Sequence, residues 1–160
     1  MTRPSWDEYG LALAKTASIR GDCTRRRVGA CILGSDHRVL GLGYNGYEAG
    51  GKSCLKGECP RGMHYNVGAI EQPLGDYADT CACGDYWPCP DYATPGSGYA
   101  ESGCEAIHAE RNAIGDRSVS LQNATMYITE APCEDCRAMI QGTYIVKVIW
   151  PGGTWNVHTD

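Results

Sequence analysis

Apolar residues Trp6, Tyr9, Leu13 and Ala17 recur every three to four positions, the period of one helix face. Ser5 and Glu8 have the spacing of a capping box, and Gly21 supplies a stop. The stretch "PSWDEYGLALAKTASIRG" is therefore expected to be a helix. "RVGACILGSDHRVLGLGYNG" follows and predicts two strands, Val28 to Leu33 and Val39 to Tyr44. The turn residues "GSDH" between them make a hairpin. Helical order is expected again from Ala106 to about Gly115. "ATMYITE" (Ala124 to Glu130) predicts a third strand, "PCEDCRAMIQG" a helix with Pro132 near its first position, and "IVKVIW" (Ile145 to Trp150) a fourth strand. A strand, a helix and a strand in this order imply a right-handed parallel crossover. The expected fold class is α/β, with helices packed on a mixed sheet of four to five strands.

Between Gly46 and Gly103 this patterning dissolves into Gly, Pro, Tyr and Cys. A structureless loop of that length is improbable inside a compact domain, and its cysteines argue for a stapled insertion. The length of 160 residues suits one domain over 1–160 carrying this insertion at about 46–103. Apolar residues make up 42% and charged residues 21%, ordinary for a soluble globular chain. No apolar run approaches a membrane span. "MTRPSWDEYG" lacks a hydrophobic core of the secretory kind, so the cytosol is the expected compartment.

A net charge of −5 disfavours a long polyanionic partner. A small anionic ligand needs only a local basic spot, and Arg25, Arg26 and Arg27 form a run of three positive charges just before a strand. The ten cysteines change the picture most. A reducing compartment disfavours a disulfide framework, so metal ligation is the better account. Cys31, inside "VGACILG", reads instead as a small buried hydrophobe.

His108, Glu110, Cys133 and Cys136 spell H-A-E followed by P-C-E-D-C, the signature of zinc deaminases. Cys133 and Cys136 are three apart at a helix start, so both sulfurs share one turn. A helix N-terminus lowers thiol pKa and favours the thiolate. With His108 they make three protein ligands, which leaves one tetrahedral position for water, the mark of a catalytic zinc. Two thiolates offset much of the metal charge, so a base is still needed. Glu110 is the expected proton shuttle between water, ring nitrogen and leaving amine. A zinc-stapled binding module without turnover is the alternative of a different class, and it has no use for that carboxylate.

"GDCTRRRVGACIL", "GYNGYEAGG", "IHAERNAI" and "MYITEAPCEDC" together resemble the deoxycytidylate (dCMP) deaminase family of the cytidine deaminase superfamily. Free-nucleoside cytidine deaminases usually carry Cys-Ala-Glu in place of His-Ala-Glu, and transfer-RNA adenosine deaminases lack these flanks. The resemblance implies a three-layer α/β/α fold and a zinc hydrolase converting dCMP to dUMP and ammonia, dUMP being the precursor for thymidylate synthesis. A modified dCMP, another cytosine nucleotide or a polynucleotide base stays open as substrate. The resemblance further implies that Asn45 touches the sugar or base, that Arg25, then Arg26, hold the 5′-phosphate, and that Ala109 joins the substrate contacts. It also implies a homo-oligomer, hexameric in relatives, with dCTP and dTTP as effectors. Some family members hold a structural zinc through cysteines at the positions of Cys23 and Cys54. Cys59, His64, Cys81, Cys83, Cys89 and Cys104 are the remaining candidates, and these eight residues would furnish two tetrahedral sites. Their grouping is open at this level.

Overall fold

A computed structural model describes residues 2–59, 63–64, 80–86, 88–90, 104–115 and 118–159. The chain forms two compact units. One comprises residues 1–22, 26–46 and 107–160, the other residues 23–25 and 47–106.

The first unit begins with α1 (Trp6–Ser18). The Ser5 hydroxyl accepts from the Glu8 amide at 3.2 Å, and the Ser5 amide donates to the Glu8 carboxylate at 2.7 Å. This is the reciprocal box expected from the sequence. The buried face is not the expected one. Gly10, Ala14 and Ser18 are buried, whereas Trp6 and Tyr9 are exposed. The ring of Tyr127 lies against Gly10, where any Cβ would overlap it, so this contact requires a helix residue without a side chain. The Tyr127 hydroxyl then donates to Asp7 at 3.0 Å. Trp6 instead stacks on His37, with ring centroids 4.0 Å apart.

The hairpin is present as β1 (Gly29–Leu33) and β2 (Val39–Tyr44), paired antiparallel. His37 takes the left-handed position of its turn, at φ 62. β3 (Ala124–Ile128) runs antiparallel to β1 and parallel to β4 (Ile145–Trp150). A fifth strand, β5 (Gly153–Asn156), folds back antiparallel on β4. The sheet order is β2-β1-β3-β4-β5.

Every residue of β1 is buried, because helices cover both faces of the sheet. Cys31, Leu33, Tyr127 and Ile149 pack with Ala14 of α1 on one face. Ala30, Ile32, Met126, Ile128 and Val148 pack on the other with α2 (Ala109–Ile114) and α3 (Glu134–Gln141), through Ala113 and Ile140 among others. Cys31 is fully buried in this core, as its apolar neighbours predict, and burial pushes its thiol up to about 11.

Several boundaries depart from expectation, and β1 starts at Gly29 rather than Val28. α2 starts at Ala109, not Ala106. Ile107 is held extended by a bridge to Gly46, donating to its carbonyl at 2.8 Å and accepting from its amide at 3.1 Å. β3 stops at Ile128 rather than Glu130. α3 is capped by an extended Cys133 (φ −70, ψ 170), which leaves Pro132 outside the helix. α2 lies flat on β2 because Gly41 and Gly43 present no side chain. A Cβ at either would overlap the backbone of Ala113 or Ala109.

The second unit contains the expected insertion, of which residues 60–62, 65–79, 87 and 91–103 lie outside the described ones. A 3-10 turn spans Cys54–Lys56 and closes on Gly57 at φ 75. Thr80 and Tyr86 form an isolated antiparallel bridge, and Lys52 pairs with Glu105 at 3.1 Å. Among the described residues, no helix is long and apolar enough to cross a membrane.

Candidate active site and cysteine clusters

The end of β3 is tied to β1. Thr129 donates its amide to Gly29 at 3.0 Å and accepts the Gly29 amide on its hydroxyl at 3.1 Å. The chain then reaches α3 with Cys133 at the cap and Cys136 one turn inside, exposed and buried respectively. His108 caps α2 in the same way (φ −67, ψ 150). The Asn112 side chain donates to the Tyr44 carbonyl at 2.7 Å and pins α2 to the end of β2.

These caps bring three donors together. The His108 Nδ1 lies 3.6 Å from the Cys133 sulfur and 3.2 Å from the Cys136 sulfur. All three ligand atoms fall within 4.8 Å of one another. Tetrahedral zinc with Zn–N about 2.0 Å and Zn–S about 2.3 Å has N···S edges of about 3.5 Å. The donor set of one imidazole and two sulfurs therefore fits zinc in both chemistry and spacing. Glu110 follows in the first turn of α2 and is buried, at 4% exposure. Burial, followed by the charge of Glu110 and by Cys133, pushes the Cys136 thiol up. A cation between these ligands reverses that balance and holds the thiolate.

The other eight candidates all lie in the second unit, and four of them converge on one point. His64, Cys81, Cys83 and Cys89 have ligand atoms within 4.8 Å of one another. Cys59 and Cys104 have their sulfurs 3.9 Å apart. Cys54 joins them, its thiol pushed up by burial, then by Cys59, with Cys23 and Cys104 adding to it. The Tyr47 side chain sits beside Cys59 and Cys104.

The expected substrate contacts fall in different places. Asn45 is buried at 1% exposure. Its side chain accepts from the Val28 amide at 2.8 Å and donates to the Arg26 carbonyl at 2.7 Å. Ala109 is fully buried in the core beneath α2. Arg26 pairs with Glu130 at 2.8 Å. Arg25 belongs to the second unit, and Arg27 is exposed. Sequence reasoning overlooked Glu130 and Asn112. The signal for Asn112 was present, a short amide side chain inside the helix that follows His108. Glu130 gave none, because its partner lies more than a hundred residues away in the chain.

The profile of the cytidine and deoxycytidylate deaminase zinc-binding region matches residues 4–151. The chain is 36% identical over 153 residues to a deoxycytidylate deaminase of Mycobacterium phage D29, covering 94% of this chain and 98% of that one. It is 33% identical over 152 residues to the deoxycytidylate deaminase of Saccharomyces cerevisiae, of which it spans 38%. The fold is similar to that of a dCMP deaminase from the cyanophage S-TIM5, solved in complex with dCMP and dUMP. The TM-score is 0.57 at 22% identity, over 94% of this chain and 83% of that one. With the matched profile spanning the His108, Cys133 and Cys136 constellation, the chain belongs to the cytidine and deoxycytidylate deaminase zinc-binding family.

Proposed function

We propose that this chain is a zinc-dependent hydrolase that deaminates dCMP to dUMP and ammonia. The observation that carries the reading is Glu110, a carboxylate buried beside a metal site with only three described protein donors. A structural site closes with four protein ligands; a site of three keeps a position for a reactant. A purely structural centre gives a buried carboxylate nothing to do, and burial without a task is costly.

His108, Cys133 and Cys136 would hold the zinc, which would supply a water activated at neutral pH for attack on C4 of the cytosine ring. Glu110 would accept the proton released by that water and pass it to the ring N3, then take the second proton from the new C4 hydroxyl and deliver it to the departing amine, which leaves as ammonia. One water is consumed and one ammonia released, so dCMP becomes dUMP. The first-turn amide of Ala109 has no helical partner and is assigned to the pyrimidine. Asn45 fixes the chain between Arg26 and Val28. Its second amide hydrogen is assigned to the sugar edge. Arg25 and Arg26 are assigned to the 5′-phosphate, Arg26 exchanging Glu130 for it. Cys23, Cys54, Cys59 and Cys104 are assigned to the structural zinc that the family resemblance implies. Assembly into a homo-oligomer and control by dCTP and dTTP belong to the same reading, as does a place in the cytoplasm supplying dUMP for thymidylate.

Ammonia release measured side by side on dCMP, dCTP, deoxycytidine and single-stranded DNA tests the assignment. Turnover is expected to be highest on dCMP, and Glu110→Gln should lower it by about 10²-fold or more while zinc content is kept. Near-native turnover in that variant would remove Glu110 from the chemistry. Equal turnover on deoxycytidine would remove the phosphate from the recognition.

A further inference from the structure

The second unit has an unusual interior. Its buried residues, among those described, are Cys54, Cys59, Cys81, Cys89 and Ala106. Thiols stand where a domain of this size would place Leu, Ile and Val. Such a core buries little apolar surface, and ordering each residue costs about 1–2 kcal/mol of backbone entropy. Among the described residues, apolar burial gives this unit little stability. A bound metal can add to it, because its site exists only in the folded chain.

We infer that His64, Cys81, Cys83 and Cys89 form a closed structural zinc centre of their own, separate from both the His108 site and the Cys54 group. The four ligand atoms lie within 4.8 Å of one another. The His64 Nδ1 is 3.1 Å from the Cys89 sulfur and 3.9 Å from the Cys81 sulfur. These values bracket the N···S edge of about 3.5 Å for tetrahedral zinc. The one-residue spacing of Cys81 and Cys83 is tight for such a site, and the local backbone explains how it works. Gly84, at φ 93, closes a turn in which its amide donates to the Cys81 carbonyl at 2.9 Å. The Cys81 amide donates to Asp85 at 2.8 Å, so the chain reverses between the two cysteines and the Thr80–Tyr86 bridge. That reversal brings the Cys83 amide onto the Cys81 sulfur. An amide hydrogen bond of this kind orients a thiolate ligand and spreads its charge.

Three thiolates and one imidazole select zinc over hard cations. Four protein donors leave no position for water, so this centre is structural and has no part in turnover. It fastens His64 to a turn seventeen or more residues further along the chain. The inference stands apart from the deaminase reading, since it concerns a centre without a reactant position.

Cys83 makes the inference testable, because its side chain is exposed. A bare exposed thiol is alkylated readily; a zinc thiolate is shielded. The full-length protein, loaded with zinc, is treated with iodoacetamide under native conditions, and its cysteines are mapped by peptide mass spectrometry. Cys81, Cys83 and Cys89 are expected to be protected together and labelled together after a chelator is added. Zinc analysis of Cys83→Ser should show a loss of about one ion per chain relative to the parent. Prompt labelling of Cys83 in the zinc-loaded protein would overturn the inference, as would a Cys83 disulfide or an unchanged zinc content in the variant. His108→Ala serves as the separating control. It should abolish deamination and leave Cys83 protected, so failure of one reading is not mistaken for failure of the other.

Discussion

Replacing Gly43 by alanine adds one methyl group where β2 meets α2. Its position overlaps the Ala109 carbonyl, the Ala113 amide nitrogen and the Asn112 carbonyl carbon. All three are backbone atoms, so no side chain can swing aside. Ordinary van der Waals contact begins near 3.4 Å, and restoring it requires lifting α2 by on the order of 1 Å. Elsewhere in a strand, alanine gains about 0.5–1 kcal/mol over glycine through backbone entropy. Here the overlap costs about 1–3 kcal/mol, so the sign reverses and Gly43→Ala is expected to be less stable. The same helix carries His108 as its cap and Glu110 in its first turn. A misplacement of about 1 Å in a catalytic group costs on the order of 10²-fold in rate. Urea denaturation measures the first effect and kcat on dCMP the second. A variant as stable as the parent, with unchanged kcat, would refute the view that a bare strand surface sets the height of the catalytic helix.

Arg25→Ala should raise KM for dCMP by about tenfold and leave KM for deoxycytidine unchanged, the scale of one lost charge-assisted phosphate contact. An equal rise for both substrates would place Arg25 outside phosphate recognition. Ser5→Ala should lower the melting temperature by about 2–4 °C through loss of the helix cap. The Ser5 amide, then its hydroxyl, hold the Glu8 carboxyl below its ordinary 4.5. A depressed folded-state value stabilises above the unfolded value and is lost as pH falls through the folded one. The melting difference between parent and Ser5→Ala should therefore narrow below about pH 4.5, and a difference that widens on acidification would contradict the capping geometry.

The cluster of His108, Cys133 and Cys136 was legible because its parts are short local motifs. Cys133 and Cys136 share one helical turn, His108 and Glu110 open another helix, and the signature H-A-E followed by P-C-E-D-C joined the two pairs. The apolar stripe of α1 misled because periodicity counts side chains and ignores what faces them. Tyr127 fills the space from the sheet, so the helix offers Gly10 there and leaves Trp6 to the turn at His37. β5 was a marginal expectation, being four residues long and following a turn with Gly152 at φ 90. Beyond the pairing of Cys23 with Cys54 that the resemblance implies, the grouping of the outlying metal-type residues could not be read. Cys59 meets Cys104 across forty-five positions, and nothing in local sequence encodes a contact of that range. The Arg26–Glu130 pair was hidden for the same reason.

The bridge between Gly46 and Ile107 has a consequence for how such a protein can diversify. Two residues that exchange both backbone hydrogen bonds have Cα atoms about 5.5 Å apart. The long excursion from Gly46 to Ile107 thus leaves the sheet-bearing unit and rejoins it at nearly one point, immediately before His108. A splice junction with adjacent ends accepts segments of very different length, since each doubling of a flexible loop costs only about 0.6 kcal/mol. A short hairpin turn joining Gly46 to Ile107 would satisfy the same two hydrogen bonds. The sixty residues between them can in this sense vary in length while the sheet ladder stays in register.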